Sequence, residues 1–190
     1  ANVAVTDEDA IDLGAATVSG TYAVTASGAI TDSGTQEITG ATTLVAGSSN
    51  NITLDYATNN FAAAVIITSG NDVAITDEDA IDLGASTVSG TYAITAGGAV
   101  TDSGTQEITG ATTISASGQA VTLNTATNNF AAAVGITGAN VAVTDEDAID
   151  LGASTVSGTY AITAGGAVTD SGTQEITGAT TISASGQAVT

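Results

Sequence analysis

The sequence lacks every basic side chain and most of the residue types on which catalysis depends. Its 190 residues include no Lys, Arg, His, Cys, Met, Pro or Trp, whereas Asp and Glu together number 20, so the formal net charge is -20. Because neutralising phosphates requires Lys or Arg, nucleic acid is not expected as a partner. The missing Cys and His exclude disulfides, thiolate or imidazole metal sites and nucleophiles activated by histidine.

Long hydrophobic runs and aromatic residues are also scarce. The longest apolar run covers residues 61–67, and the aromatic residues are four Tyr and two Phe. A membrane helix needs roughly 18 apolar residues, so membrane insertion is not expected. The chain is nevertheless 43% hydrophobic with a mean hydropathy of +0.32, which predicts a buried core and not a disordered acidic tail. Its small β-branched residues favour strands.

Internal repetition is the strongest feature of the sequence. The motif TDEDAIDLGA begins at Thr6, Thr76 and Thr144, and residues 76–122 recur unchanged as residues 144–190. This spacing divides the chain into tandem repeats 1–70, 71–138 and 139–190, the last one truncated. We therefore expect residues 1–190 to form one continuous segment of a longer array.

A shorter period lies inside each repeat. Residues 138–157 and 158–177 form two segments of 20 residues, and the third segment, complete at residues 110–137, has 28. Each begins with Gly and carries short runs in which apolar and polar residues alternate. The pattern predicts an all-β fold, a right-handed parallel β-helix (β-solenoid) with three strands in each coil of about 20 residues.

The longer third segment is interpreted as one coil with a looped-out corner. Its excess residues fall at 58–64 and 127–133, where Phe130 is expected to fold back over an apolar patch. Three coils of about 4.8 Å would advance each repeat by roughly 14 Å and align equivalent residues along one edge. The alternative fold is a string of immunoglobulin-like modules, which the alignment of consecutive 20-residue segments disfavours.

The repeated run NVAVTDEDAIDLGASTVSGTYAITAGGAVTDSGTQEITGATTISASGQAVTLNTATNNFAAAV resembles the repeats of filamentous-haemagglutinin-type and other giant bacterial surface adhesins. The resemblance covers the whole chain and consists of composition and periodicity. It implies a secreted, very long right-handed β-helix that serves as a stalk, adhesin or matrix fibre.

One constellation of side chains has the chemistry of a metal site. Each repeat places four carboxylates within six residues, and hard oxygen ligands of this kind suit Ca²⁺. The spacing matches neither an EF-hand loop nor a calcium-binding nonapeptide, so a solvated acidic corner is the competing interpretation. The candidate ligands are Asp7, Glu8, Asp9, Asp12, Asp77, Glu78, Asp79, Asp82, Asp145, Glu146, Asp147 and Asp150.

No other motif predicts a ligand or a reaction. Identical acids in every copy, with no cation to hold a sugar, argue against a glycosidase, so we expect no enzyme. The TDSG sequences at residues 31–34, 101–104 and 169–172 predict turns in which Asp bonds its own backbone. The pairs Asn59/Asn60 and Asn128/Asn129 are expected to satisfy backbone groups at a corner, and Tyr56 occurs only in the first repeat.

These observations predict a structural and adhesive repeat segment of a long bacterial surface or matrix fibre, located outside the cell. Its expected partners are other copies of itself, side by side or end to end, and a host or neighbouring cell surface. The alternative is a stalk of immunoglobulin-like modules in a calcium-binding adhesin with its ligand-binding tip elsewhere.

Overall fold

The computed structural model describes residues 1–190, and its regular secondary structure consists of 26 strands. The strands of the first repeat are β1 (Val3–Asp7), β2 (Ile11–Leu13), β3 (Ala16–Val18), β4 (Tyr22–Ala26), β5 (Ile30–Asp32), β6 (Gln36–Ile38), β7 (Thr42–Val45), β8 (Ile52–Leu54), β9 (Asn60–Phe61) and β10 (Val65–Gly70). Those of the second are β11 (Val73–Asp77), β12 (Ile81–Val88), β13 (Tyr92–Ala96), β14 (Val100–Asp102), β15 (Gln106–Ile108), β16 (Thr112–Ser115), β17 (Val121–Leu123), β18 (Asn129–Phe130) and β19 (Val134–Gly138). Those of the third are β20 (Val141–Asp145), β21 (Ile149–Leu151), β22 (Ser154–Val156), β23 (Tyr160–Ala164), β24 (Val168–Asp170), β25 (Gln174–Ile176) and β26 (Thr180–Ser183).

The strands form because their side chains alternate between the interior and the surface. In β4, for example, Tyr22, Val24 and Ala26 are buried while Thr25 is exposed. The inward residues of all coils merge into one hydrophobic core of 40 buried residues that runs along the chain. Most core residues are aliphatic, and five of the six aromatic residues of the chain also lie in the core: Tyr22, Phe61, Tyr92, Phe130 and Tyr160.

Every pairing between strands is parallel, and each strand stacks on a strand of the preceding coil. Val3 pairs with Tyr22, Tyr22 with Thr42, and Thr42 with Val65. Residues paired between stacked strands are 17 to 24 positions apart in the sequence, from Val134 and Leu151 to Val45 and Ser69. The predicted β-solenoid with coils of about 20 residues is therefore confirmed, and the immunoglobulin-like alternative, which requires antiparallel sheets, is wrong.

Close backbone contact at the corners explains the glycine that begins each segment. Gly110 lies directly over Gly90, and a Cβ atom at Gly110 would collide with the Gly90 carbonyl group. The Gly110 amide instead donates a hydrogen bond of 3.0 Å to the Gly90 carbonyl oxygen. Glycine is needed at this corner so that successive coils can approach to strand-pairing distance.

The third segment of the first and second repeats differs from the prediction, because it contains four strands and not three with a loop. Residues 110–137 hold β16, β17, β18 and most of β19, and Phe130 is a buried core residue with 1% of its surface exposed. The residues read as a looped-out corner therefore include a strand of their own. A repeat contains ten strand segments when β12 is counted twice, since its two halves pair separately with β14 and β15.

Ten strand segments distributed over three faces amount to three and one third turns per repeat. The first strand of each later repeat accordingly stacks on the second strand of a third segment: β11 pairs with β8, and β20 pairs with β17. The pairings join the strands into parallel sheets of 12, 11 and 3 strands. Successive repeats are thus rotated by one face about the axis, and the expected alignment of equivalent residues along one edge is wrong.

Candidate functional site: the joint between repeats

The first aspartate of the acidic motif points into the solenoid and binds the backbone of the preceding repeat. Asp77 is 1% exposed, and its Oδ2 accepts a hydrogen bond of 2.9 Å from the Phe61 amide. Its Oδ1 accepts a bond of 2.8 Å from the Asp79 amide, which closes the turn after β11. In the third repeat Asp145 accepts the same two bonds from Phe130 and Asp147, at 2.9 and 2.8 Å.

A buried asparagine of the preceding repeat also takes part in this contact between repeats. Asn59 is fully buried, and its side-chain Oδ1 accepts a bond of 2.8 Å from the Gln36 amide one coil below. Its Nδ2 donates to Asp32 Oδ2 at 2.6 Å, while its backbone carbonyl accepts a bond of 2.8 Å from the Glu78 amide above. Asn59 therefore satisfies backbone groups at a corner, as the sequence predicted, and it does so in both directions along the axis.

The second copy of this arrangement has the same geometry. Asn128 Oδ1 accepts from the Gln106 amide at 2.9 Å, and its Nδ2 donates to Asp102 Oδ2 at 2.7 Å. Its carbonyl accepts a bond of 2.7 Å from the Glu146 amide. We call each such set a repeat joint; the two joints consist of Asn59, Phe61 and Asp77, and of Asn128, Phe130 and Asp145.

The first repeat shows the acidic motif without a joint. Asp7 keeps only the local bond, in which Oδ1 accepts from the Asp9 amide at 2.8 Å, and it is half-buried. The first aspartate of the motif thus accepts one hydrogen bond in the first repeat and two in the later ones. The difference isolates the contribution of the preceding repeat.

Burial sets the electrostatics of the joints. Desolvation raises the pKa of Asp77 above its ordinary value, although the Phe61 and Asp79 amides act in the opposite direction. Desolvation likewise raises the pKa of Asp145, against the bonds from Phe130 and Asp147. Each joint therefore carries a carboxylate that burial disfavours and backbone N–H groups partly stabilise.

The remaining candidate metal ligands lie on the surface. Seven are exposed, namely Glu8, Asp9, Asp12, Glu78, Asp79, Glu146 and Asp147. Three bind hydroxyl groups of the next coil: Asp12 accepts from Thr31 at 3.4 Å, Asp82 from Ser103 at 2.7 Å, and Asp150 from Ser171 at 2.6 Å. No group of three or more acidic side chains is arranged to hold a metal ion. Calcium binding by these residues stays a prediction.

The aspartates of the TDSG turns reach further than the sequence predicted. Asp102 accepts bonds from the Asn124 and Thr125 amides of the next coil, at 2.9 and 3.1 Å, in addition to the bond from Asn128. Only in the third repeat does the aspartate bond its own turn, where Asp170 Oδ1 accepts from the Gly172 amide at 3.1 Å. The turn residue is consequently a link between coils wherever a complete coil lies above it.

Sequence analysis missed the inward-pointing glutamine of the QEI strands, which is buried in the first two repeats and half-buried in the third. Gln106 is fully buried, and its Nε2 donates to the carbonyl oxygens of Gly84 and Gly104 at 2.8 Å. These carbonyl groups sit at corners where the chain changes direction and strand pairing does not reach them. The alternation of the strand could have revealed it: Gln106 lies two positions before the inward-pointing Ile108, so both side chains point to the same, interior side of the strand.

Parallel coils, one continuous core and joints between successive repeats define this chain as a tandem-repeat β-solenoid protein. A family model described as repeats of unknown function (DUF5649) matches residues 1–68, 70–137 and 138–190. The chain belongs to this family of repeats. No curated protein and no solved structure matches it. None of its elements is a helix long and apolar enough to cross a membrane.

Proposed function

We propose that the chain is a structural segment of a long fibre, in which each repeat extends a rigid rod. The observation that carries this proposal is the repeat joint, which connects consecutive repeats through the same buried Asn, Phe and Asp in both places where a joint occurs. A flexible linker between modules would show no such contacts. Stability in this design is a sum of contacts between neighbouring coils, so further repeats extend the rod without a new kind of interface.

The segment is proposed to be non-catalytic. Both carboxylate oxygens of Asp77 and of Asp145 already accept backbone N–H groups, which leaves these acids poorly placed to exchange protons with a substrate. The surface acids recur in identical copies, whereas acid–base hydrolysis needs two carboxyl groups in different environments. The serine of each TDSG turn has no histidine or lysine in the chain to activate it.

We further propose that the fibre is exposed at a bacterial surface or in an extracellular matrix and contributes to adhesion. The compositional resemblance to giant surface adhesins supports this setting. Proteases that cleave after Lys or Arg find no site in the chain, and a net charge of -20 keeps exposed rods soluble. The proposed partners are other copies of the chain and neighbouring cell surfaces, whereas the same charge disfavours nucleic acid.

The test is to measure the length of engineered arrays with three, six and nine repeats by electron microscopy and small-angle X-ray scattering. Ten strand segments on three faces predict an advance of about 16 Å per repeat, at about 4.8 Å per coil. We expect straight rods whose length grows linearly with repeat number. Beads on a flexible string, or a maximum dimension that grows as the square root of repeat number, would contradict the rod.

Exposure and adhesion are tested separately on cells. Antibodies raised against the purified chain are expected to label intact producing cells, and beads coated with the chain are expected to bind those cells. Beads coated with an acidic protein of equal charge density serve as the control for non-specific attraction. Labelling only after permeabilisation would contradict the extracellular location, and equal binding of both bead types would contradict the adhesive role.

A further inference from the structure

The corner before β8 carries a short motif that the fibre function does not use. Asn51, Ile52 and Thr53 form an Asn-x-Thr sequence, the acceptor motif for N-linked sugars. Such a sequence is common in a chain rich in threonine, so its place in the fold decides its significance. Of the ten asparagines in the chain, only Asn51 is followed by Ser or Thr two positions later. The second repeat has Ala120 and Val121 at the corresponding positions, so the motif is not part of the repeated template.

Strand alternation places the amide and the hydroxyl group of the motif on the outside of the solenoid. Ile52 and Leu54 are buried in the core, so the side chains between and before them point to the opposite side. Asn51 is exposed and Thr53 is half-buried. Because they are two positions apart on an extended chain, these two side chains are neighbours on one outer face.

Hydrogen bonds hold the Asn51 amide group with its nitrogen available. Asn51 Oδ1 accepts bonds from the Asp72 backbone amide at 3.2 Å and from Asn71 Nδ2 at 3.0 Å, both in the next coil. A backbone N–H can only donate, so the bond from Asp72 fixes which side-chain atom of Asn51 is the oxygen. The Nδ2 atoms of Asn59 and Asn128 each bind an aspartate, whereas Asn51 Nδ2 donates to no group of the chain. A substituent on Asn51 Nδ2 therefore leaves both bonds of Oδ1 intact.

We propose that Asn51 is an N-glycosylation site, which receives a sugar activated by a phosphate group on its anomeric carbon. Asn51 Nδ2 forms a bond to the anomeric carbon, the bond from that carbon to the phosphate oxygen breaks, the phosphate carrier leaves as an anion, and one Nδ2 proton is released. The Thr53 hydroxyl group beside the acceptor amide is the recognition element for the transferase. Ile52 is paired on both sides, with Ile30 and Val73, so a transferase that binds the motif as an extended peptide acts before this coil closes. The inference goes beyond the fibre function and does not depend on where the fibre is located.

Mass spectrometry of the full chain, purified from the cells that produce it, tests the site. Digestion with a protease that cleaves after Asp and Glu releases residues 38–55 as one peptide, in which Asn51 is the only residue of a complete motif. We expect this peptide to carry the added mass of a sugar, located on Asn51 by fragmentation. A single monosaccharide would identify a nucleotide-linked donor, and a block of several sugars would identify a lipid-linked donor. An unmodified Asn51 would overturn the proposal.

Matched variants produced in the same cells separate an N-linked sugar from one attached to a hydroxyl group. Asn51→Gln and Thr53→Val are each expected to lose the added mass completely, whereas Thr53→Ser keeps it because serine also satisfies the motif. Thr122→Val changes the corresponding threonine of the second repeat, which has no asparagine before it, and is expected to leave the modification in place. Retention of the sugar in Asn51→Gln or in Thr53→Val, or its loss in Thr122→Val, would each overturn the proposal. Because the readout is the mass of a peptide, a variant that folds poorly still gives a result.

Discussion

Replacing Asp77 with alanine is expected to destabilise the chain by about 1–2 kcal/mol more than the same replacement at Asp7. The two aspartates occupy the same position of an identical motif and make the same local bond, to the amide two residues later. Only Asp77 also accepts the amide of Phe61, across the repeat joint. The difference in destabilisation between the two variants therefore gives the contribution of the hydrogen bond across the repeat joint, because the contribution of the local turn bond cancels.

The magnitude follows from the burial of the amide that loses its acceptor. Phe61 is 1% exposed, so its N–H group would be left without a partner, which costs about 1–3 kcal/mol. The lost carboxylate offsets part of this cost, because burial had raised its pKa and its charged form was disfavoured. Asp7 is half-buried and its partner, the Asp9 amide, is exposed, so Asp7→Ala is expected to cost about 0.5 kcal/mol.

Equilibrium urea denaturation followed by circular dichroism gives the two changes in the free energy of unfolding. Because a solenoid can open locally, amide hydrogen exchange at Phe61 provides a second readout confined to the joint. We expect exchange at Phe61 to accelerate in Asp77→Ala and to stay unchanged in Asp7→Ala. Equal destabilisation by the two variants, or unchanged protection of Phe61 in Asp77→Ala, would refute the assignment of the joint.

Three further predictions concern charge, core and corner. Burial raises the folded-state pKa of Asp77 and Asp145 above the unfolded value, so folding favours their protonated form. The urea concentration at the midpoint of unfolding is therefore expected to rise as the pH is lowered from 7 to about 5. A steady fall of this midpoint would contradict the prediction. Phe130→Ala is expected to lower the free energy of unfolding by about 3–5 kcal/mol, because the ring is buried in the core. Tyr56→Thr, at an exposed position, should change it by less than about 0.5 kcal/mol. Effects of similar size in the two variants would contradict the placement of Phe130 in the core. Gly110→Ala is expected to destabilise the chain by about 1–3 kcal/mol, because the added Cβ collides with the Gly90 backbone. Gly14 has open space around it, so Gly14→Ala should be neutral or stabilising by up to about 1 kcal/mol. Thermal unfolding of both variants measures the difference, and equal melting temperatures would contradict the corner contact.

The coil could be predicted from the sequence because its determinants are local. Alternation of apolar and polar residues fixes which side chains point inward, and the glycine at the start of each segment marks a corner. The role of Asn59 could also be anticipated, since an asparagine between strands commonly bonds exposed backbone groups. These features depend on neighbours within a few positions, and the repetition of the sequence displays them several times.

The joint could not be predicted in the same way, because its two halves lie in different repeats. Asp77 looked like one of four surface acids, and nothing in the TDED sequence alone shows that it reaches Phe61. The third segment misled for a related reason, since two residues, Asn60 and Phe61, suffice for a strand that is too short to show alternation. A signal was nevertheless present: TDED follows TNNF at nearly the same separation in both places, 18 residues from Thr58 to Thr76 and 17 from Thr127 to Thr144, as expected of elements that contact each other.

The one-third turn gained in each repeat sets a rule for how the length of such an array can change. Identical sequences favour unequal recombination, which adds or removes whole units. Any such event preserves every coil-to-coil contact, so folding tolerates it. It also rotates all coils beyond the insertion point by one face about the axis. Only the addition or removal of a multiple of three units restores their original orientation. Arrays that differ in length by one unit would therefore orient the repeats beyond the insertion point toward different sides of the axis.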